Sequence, residues 1–155
     1  MELDLVRREL NMYDEAIKNL ITLRMSLIPI VADIKIKNDL PLFQGKREEE
    51  IYKKIEVFSK ENGVNPNLIK DIYKLIIADA LEIEESIVDD QKNSIINKEI
   101  KDFEIVELEN EFKKLDSILS KDIPNILEKI KNTMNSDNLK LIEKGTLYYN
   151  KKINL

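Results

Sequence analysis

Cysteine and histidine are absent from the chain. Their absence removes disulfides, thiol nucleophiles, the commonest zinc ligands and the side chain best suited to proton transfer near neutral pH. Any chemistry must therefore use carboxylate, ammonium and guanidinium groups. We expect a protein that needs no metal and no other cofactor.

Glycine and proline are scarce, with three and four residues among 155, whereas isoleucine, leucine, lysine, glutamate and asparagine dominate. This composition favours long helices over a turn-rich sheet protein. The predicted fold class is therefore all-α.

Long apolar runs and an excess of positive charge are also missing. The formal net charge is −5 with both signs interspersed, so the chain offers no basic stripe to a phosphate backbone. No run approaches the roughly 18 apolar residues of a membrane-spanning helix, and the start MELDLVRREL lacks the apolar stretch of a signal peptide. We expect a cytoplasmic protein that binds neither nucleic acid nor membranes.

The N-terminal quarter carries the pattern of one long helix. Its seam positions alternate in steps of three and four, and all but the arginine are apolar: Leu3, Val6, Leu10, Tyr13, Ile17, Leu20, Arg24, Leu27, Val31 and Ile34. A helix from Leu3 to Lys37 would be roughly 50 Å long, which is longer than a compact monomer of this size can cover. It should need a partner chain. Pro29 removes the hydrogen bond to the Met25 carbonyl, so we expect a bend there.

Cap and turn signals divide the rest of the chain. We predict a loop at 38–45, a helix at 46–62 before Gly63, a helix from Pro66 to about 88, a polar linker at 89–100, a helix at 103–121, a break at 122–124 and a helix continuing to about 135. The tail at 136–155, rich in asparagine and lysine, receives no assignment. The predicted domains are 1–90 and a helical extension of unknown role, 91–155.

Ionisable residues interrupt the apolar stripes of these helices. A buried charge without a partner costs several kcal/mol, so it usually implies a counter-charge or a ligand. Arg24 occupies a seam position, and Lys35, about three turns later, faces nearly the same side. Arg47 and Glu48 extend the inward-facing apolar stripe of the second predicted helix towards its N-terminus. Glu84 continues that of the third. Together they predict a pocket with excess positive charge, suited to a small dianion.

Arg7 cannot belong to that pocket within one chain. It precedes Arg24 by seventeen residues. That separation is about 25 Å along the helix and roughly 100° around it, so only an antiparallel partner helix could deliver Arg7. Taken singly, the charges have ordinary explanations. Arg7, Lys35 and the Arg47-Glu48 pair could be solvated, and Arg24 could form a structural salt bridge with Glu84.

Four stretches carry a family resemblance: LVRRELNMYDEAIKNLITLR, VADIK, the loop with Pro41 that leads to Arg47-Glu48, and LIIADALEIEE. Over residues 3 to about 88 the chain resembles the AroQ-type, all-helical chorismate mutases. The resemblance implies an isomerase, an intramolecular transferase that converts chorismate to prephenate in the shikimate pathway of phenylalanine and tyrosine biosynthesis. It also implies that a long first, a short second and a medium third helix interlock with a second copy in a homodimer.

The resemblance implies a role for each charged position. Arg7 would reach into the site of the partner chain, and Arg24 and Arg47 would bind substrate carboxylates. Lys35 would contact the ether oxygen and a carboxylate, and Glu48 would accept a hydrogen bond from the ring hydroxyl.

Three positions depart from the common family pattern. Gln44 replaces a usual aspartate and Ala80 a common serine, so one substrate hydrogen bond from the third helix should be missing. Glu84 falls where the family has glutamine or glutamate directed at the ether oxygen. An ionised carboxylate would repel that oxygen, whereas a protonated one can donate to it.

Other functions stay open. An isochorismate pyruvate lyase or a mutase of 4-amino-4-deoxychorismate could share this fold, although the Arg47-Glu48 pair favours chorismate. A non-catalytic helical dimer that binds a protein partner belongs to a different class. The extension at 91–155 could regulate the enzyme, dock a partner or pack on the other helices for stability.

Overall fold

Helices form nearly all of the part of the chain that the structure describes. A computed structural model describes residues 2–93, 102–123 and 126–153, and no strand occurs within these ranges. The helices are α1 (Glu2–Ser26), α2 (Ile28–Lys37), α3 (Gly45–Asn62), α4 (Pro66–Asn93), α5 (Asp102–Asp122), α6 (Ile126–Thr133) and α7 (Ser136–Ile153). The all-α prediction is confirmed. No helix in the described ranges is both long and apolar enough to cross a bilayer.

The predicted first helix is divided in two at Leu27. Leu27 donates its N–H to the Arg24 carbonyl at 3.2 Å, and its own carbonyl accepts from Val31 at 3.0 Å. Its backbone stays in the right-handed helical region, with φ −82° and ψ −16°. The helix therefore tightens for one residue and resumes, since Pro29 has no N–H to continue the ladder. In place of the expected bend at Pro29, the helix is interrupted at Leu27, two residues before the proline.

The turn between α3 and α4 follows the cap signals in the sequence. Gly63 has φ +66°, and the N–H groups of Gly63 and Val64 both donate to the Ser59 carbonyl at 2.9 and 3.2 Å. The Asn65 side chain accepts from the Asn67 N–H at 2.9 Å and so caps α4. At its other end α4 runs on to Asn93. Residues 89–93, predicted as linker, are therefore helical, and the predicted linker residues 94–100 lie outside the described residues.

The C-terminal region holds one helix that the sequence did not predict. The predicted helix at 103–121 corresponds to α5, and the predicted break follows it, with the Ile126 N–H donating to the Ile123 carbonyl at 3.3 Å. Pro124 lies outside the described residues. The helix predicted to continue to about 135 ends at Thr133 as α6. The unassigned tail forms α7, whose first turn closes with the Leu139 N–H on the Asn135 carbonyl at 2.9 Å.

The chain divides into two compact units. The first, unit 1, comprises Met1–Gly45 and Ile72–Glu99, and the second, unit 2, comprises Lys46–Asp71 and Ile100–Leu155. In unit 1, Ile28 and Ala32 of α2 and Ala80 of α4 are buried, while α1 has no buried residue. In unit 2, Ile55 and Ser59 of α3 are buried. The apolar seam of α1 is therefore left exposed in a single chain.

Two glycine substitutions should shift stability in opposite directions. Gly63→Ala should destabilise the fold by about 1–2 kcal/mol because its φ is positive. The added Cβ would also lie 2.7 Å from Asn150 Oδ1. Gly145, inside α7, has no described atom within 4 Å of an added Cβ. Gly145→Ala should therefore stabilise by about 0.5–1 kcal/mol. Urea unfolding measures both, and equal shifts of the same sign would contradict the structure.

Candidate active site

Lys35 and Glu84 form a buried ion pair within unit 1. The Lys35 ammonium, in the last turn of α2, lies 3.0 and 3.2 Å from the two carboxylate oxygens of Glu84 on α4. The side chains are only 14% and 6% exposed. The ammonium also donates to the Leu42 carbonyl at 2.7 Å, in the loop that follows α2. An ammonium has three N–H donors, so these contacts fix its position and leave little freedom to turn away.

Arg24 lies in the last turn of α1 and contacts α4 through an aromatic ring. Its guanidinium carbon is 5.8 Å from the centroid of the Tyr73 ring, within the range of a cation–π interaction. Its Nη1 is inaccessible to solvent and has no hydrogen-bond partner among the described residues. A buried guanidinium N–H without an acceptor is unfavourable, and a carboxylate is the group that best satisfies it. Arg24 Nη1 lacks such an acceptor among the described residues.

The salt bridge considered for Arg24 does not form as the sequence suggested. Glu84 pairs with Lys35, and Arg24 contacts Tyr73 instead. Tyr73 was not predicted as a partner of Arg24. Its spacing from Glu84, eleven residues or about three turns, was the available signal.

The two positions that depart from the common family pattern without carrying charge have different environments. Ala80 lies one turn before Glu84 on α4 and is 7% exposed, so its methyl group offers no hydrogen bond to a ligand. Gln44 is exposed in the loop before α3.

The remaining predicted residues are Arg7, Arg47 and Glu48. Arg47 and Glu48 occupy the first turn of α3 and belong to unit 2, where the Arg47 guanidinium is 3.5 Å from the Glu50 carboxylate. Glu48 is half-buried. Arg7 is exposed on α1, 3.9 Å from Asp4. Exposed pairs of this kind add little stability, so both arginines can exchange their partners.

The arrangement in unit 1 suits binding and charge stabilisation. Its ionisable groups are an arginine, a lysine and a carboxylate that already accepts from the lysine. In the described ranges, no group of three or more Asp and Glu side chains lies close enough together to hold a metal ion. These groups can hold an anionic ligand and stabilise negative charge that grows during a reaction.

The chain is similar to a known family and to several known proteins. The sequence profile of the family described as chorismate mutase type II matches residues 6–85. The bifunctional chorismate mutase/prephenate dehydratase of Buchnera aphidicola is 34% identical over 92 residues, which is 59% of this chain and 22% of that protein. The enzyme of the same name from Aquifex aeolicus is 37% identical over 89 residues, or 56% and 25% of the two chains.

A third relative is shorter. The chorismate mutase of Methanocaldococcus jannaschii is 28% identical over 88 residues, which is 57% of this chain and 89% of the relative. The matched segments thus span only about a quarter of the length of the two bifunctional relatives. No solved structure gives a significant match to this chain. Since the family profile matches more than half of the chain, from α1 to the turn of α4 that carries Glu84, the chain belongs to the chorismate mutase type II family.

Proposed function

We propose that the protein is a chorismate mutase, an isomerase that rearranges chorismate to prephenate without a cofactor. One observation carries the proposal. Arg24 contacts α4 at Tyr73. Lys35 contacts α4 at Glu84, eleven residues later. Eleven residues make about three turns, so both cations reach the same face of α4. In a chain of this family, two such cations suit a ligand that carries two carboxylates.

The reaction explains why these residue types suffice. A pericyclic rearrangement needs no nucleophile and no proton shuttle. The flexible enolpyruvyl arm must be held over the ring, and the negative charge that grows on the breaking ether oxygen must be stabilised. We infer that Arg24 and Arg47 bind the substrate carboxylates and that Lys35 faces the ether oxygen. We assign the ring hydroxyl to Glu48.

A second copy of the chain completes the proposed site. The seam of α1 is 50–60% exposed at several positions, among them Leu3, Val6, Leu10, Ile17 and Leu20. A continuous exposed apolar face of this length favours burial against another helix. We propose a homodimer in which α1 of each protomer covers the other and Arg7 enters the partner's site. A cytoplasmic location and a role in phenylalanine and tyrosine biosynthesis belong to the same proposal.

The family match supports the domain limits expected from the sequence. We propose that residues 1–90 form the mutase domain and residues 91–155 a helical extension. The match ends at residue 85, which supports a boundary after the middle of α4.

The test of the function is product analysis with purified protein. Chorismate should disappear and prephenate should form, with a second-order rate far above the uncatalysed reaction. Salicylate and pyruvate from isochorismate would identify a lyase instead, and turnover of 4-amino-4-deoxychorismate alone would identify the amino-substrate mutase. If none of the three substrates is consumed and a dianionic transition-state analogue causes no thermal shift, the protein is a non-catalytic helical dimer.

Glu84→Gln tests whether Glu84 faces the substrate. The Glu84 carboxylate accepts from Lys35 and can only accept, whereas the amide of glutamine can also donate to the ether oxygen. We therefore expect Glu84→Gln to raise kcat/KM for chorismate. Glu85→Gln, at the exposed neighbouring position, is the control and should keep the wild-type value. An unchanged kcat/KM in Glu84→Gln would remove this role from Glu84.

A further inference from the structure

Unit 2 contains a cavity that the mutase reaction does not use. It has a volume of about 510 Å³ and lies between the end of α3, the turn to α4 and the last turns of α7. Its lining residues are Glu56, Ser59, Lys60, Gly63, Val64, Pro66 and Asn150. All of them belong to unit 2, and Asn150 comes from the helical extension.

Two buried polar atoms in this lining have no hydrogen-bond partner among the described residues. They are Ser59 Oγ and Asn150 Oδ1. Ser59 is only 4% exposed. Buried polar atoms are nearly always paired, so these two atoms need a partner that the described residues do not supply. The Asn150 oxygen requires a donor, whereas the Ser59 hydroxyl can donate or accept.

Neighbouring contacts of α7 restrict the position of Asn150. The neighbouring Tyr149 hydroxyl accepts the Asn65 N–H at 2.9 Å and so attaches α7 to the turn before α4. Gly63 lets the amide approach, since a Cβ there would lie 2.7 Å from Oδ1 and 2.9 Å from Nδ2. Tyr149 thus fixes the backbone that carries Asn150, and the Asn150 amide oxygen is left without a donor among the described residues.

The charged groups of the lining have both signs. Lys70 donates a hydrogen bond to Glu56 at 2.6 Å, and this bond and the charge of Lys70 hold the pKa of Glu56 below its usual value. Glu56 is therefore anionic at neutral pH and retains oxygen lone pairs for a second donor. Lys60 supplies an exposed ammonium one turn later on α3. Val64 and Pro66 add an apolar wall.

We propose that this cavity binds a small zwitterion of the amino-acid class. The ligand ammonium donates to Asn150 Oδ1 and Glu56, and its carboxylate accepts from Lys60. The Ser59 hydroxyl completes the polar contacts, and the ligand side chain lies on the apolar wall. Glu56 disfavours a phosphate or a dianion, and a ligand with both charges matches the neighbouring Glu56 and Lys60 better than an uncharged polyol does. The site is independent of the proposed mutase reaction and gives the helical extension a function.

Binding to the full chain tests the proposal directly. Each of the twenty standard amino acids is titrated by calorimetry and in thermal unfolding. We expect at least one to bind and to raise Tm. For a side chain such as that of leucine, the analogues 4-methylpentanoate and isopentylamine, which each lack one charge, should bind at least tenfold more weakly. Failure of all twenty, or equal binding of an analogue or of xylitol, would overturn the proposal.

Two variants separate binding from structure. Lys60→Gln should weaken binding about tenfold, the loss expected for one charge-assisted hydrogen bond. Lys53→Gln, two turns earlier on α3, is the matched control and should leave binding unchanged. Ser59→Ala should also weaken binding, but it should leave Tm of the free protein unchanged or higher because it removes an unpaired buried hydroxyl. A clear fall in that Tm would mean that an ordered water already satisfies Ser59, and would contradict the proposal.

Discussion

Replacing Lys35 with methionine is expected to lower kcat/KM for chorismate by about a thousandfold, the upper range for losing one preorganised group that stabilises transition-state charge. The same change should destabilise the fold by about 3–5 kcal/mol, because it leaves the Glu84 carboxylate buried without its counter-charge. The loss of activity comes from the missing contact with the ether oxygen, and the loss of stability from the missing 3.0 Å contact with Glu84. They can be separated by a second substitution.

The double variant Lys35→Met with Glu84→Leu removes both charges. Its stability, measured by urea unfolding, should return close to that of the wild type, since an apolar pair of similar volume replaces a buried ion pair without loss. Its activity should remain as low as that of Lys35→Met. Lys54→Met, at an exposed position of α3, should change neither property. Recovery of activity in the double variant would show that Lys35 acts only by neutralising Glu84.

Arg24→Ala and Arg7→Ala should each lower activity by about 10²- to 10³-fold, since each removes a cation that holds or stabilises the substrate. Coexpression of the two inactive variants should restore activity. In a mixed dimer, one site receives Arg24 from one chain and Arg7 from the other, and the second site lacks both. With random pairing, half of the dimers are mixed, so about one quarter of the wild-type activity should return.

The coexpression experiment tests the dimer and the origin of Arg7 together. Arg8→Ala, at the exposed position next to Arg7, is the matched control and should keep full activity. Activity that stays at the level of the separate variants, although mixed dimers are isolated, would mean that Arg7 and Arg24 serve a site within one chain. If the protein sediments as a monomer at the concentrations used in the activity assay, no partner chain can supply Arg7 and the proposal fails.

Local signals in the sequence predicted the helix limits well. Gly63 and the Asn65-Pro66 pair fix the turn between α3 and α4 through their own backbone and caps, and no distant residue is needed. The position of the interruption at Leu27 was harder to predict. Pro29 removes a hydrogen-bond donor but does not determine which residue departs from the α-helical hydrogen-bond pattern. The helix α7 was missed because Gly145 and the adjacent Thr146, Tyr148 and Tyr149 lower the helix propensity of its middle.

Side-chain partners were harder to predict than helices. The positions of Arg24, Lys35 and Glu84 on inward stripes follow from periodicity, but periodicity does not determine which of the two cations reaches the carboxylate. That choice depends on how far each helix extends along α4, and the structure pairs Glu84 with Lys35. The Leu42 carbonyl on Lys35 and the unpaired Asn150 oxygen depend on backbone positions that no side-chain pattern encodes.

The interruption at Leu27 separates two segments that are ordered in different ways. On its C-terminal side, Ile28 and Ala32 are already enclosed by their own chain. On its N-terminal side, α1 has no enclosed residue, so its order in the proposed dimer comes from association and follows mass action. Dilution would therefore loosen α1 while α2 stays folded. Arg24 stands in the last turn before this junction, so catalytic competence would be lost at the same protein concentrations at which the two subunits part.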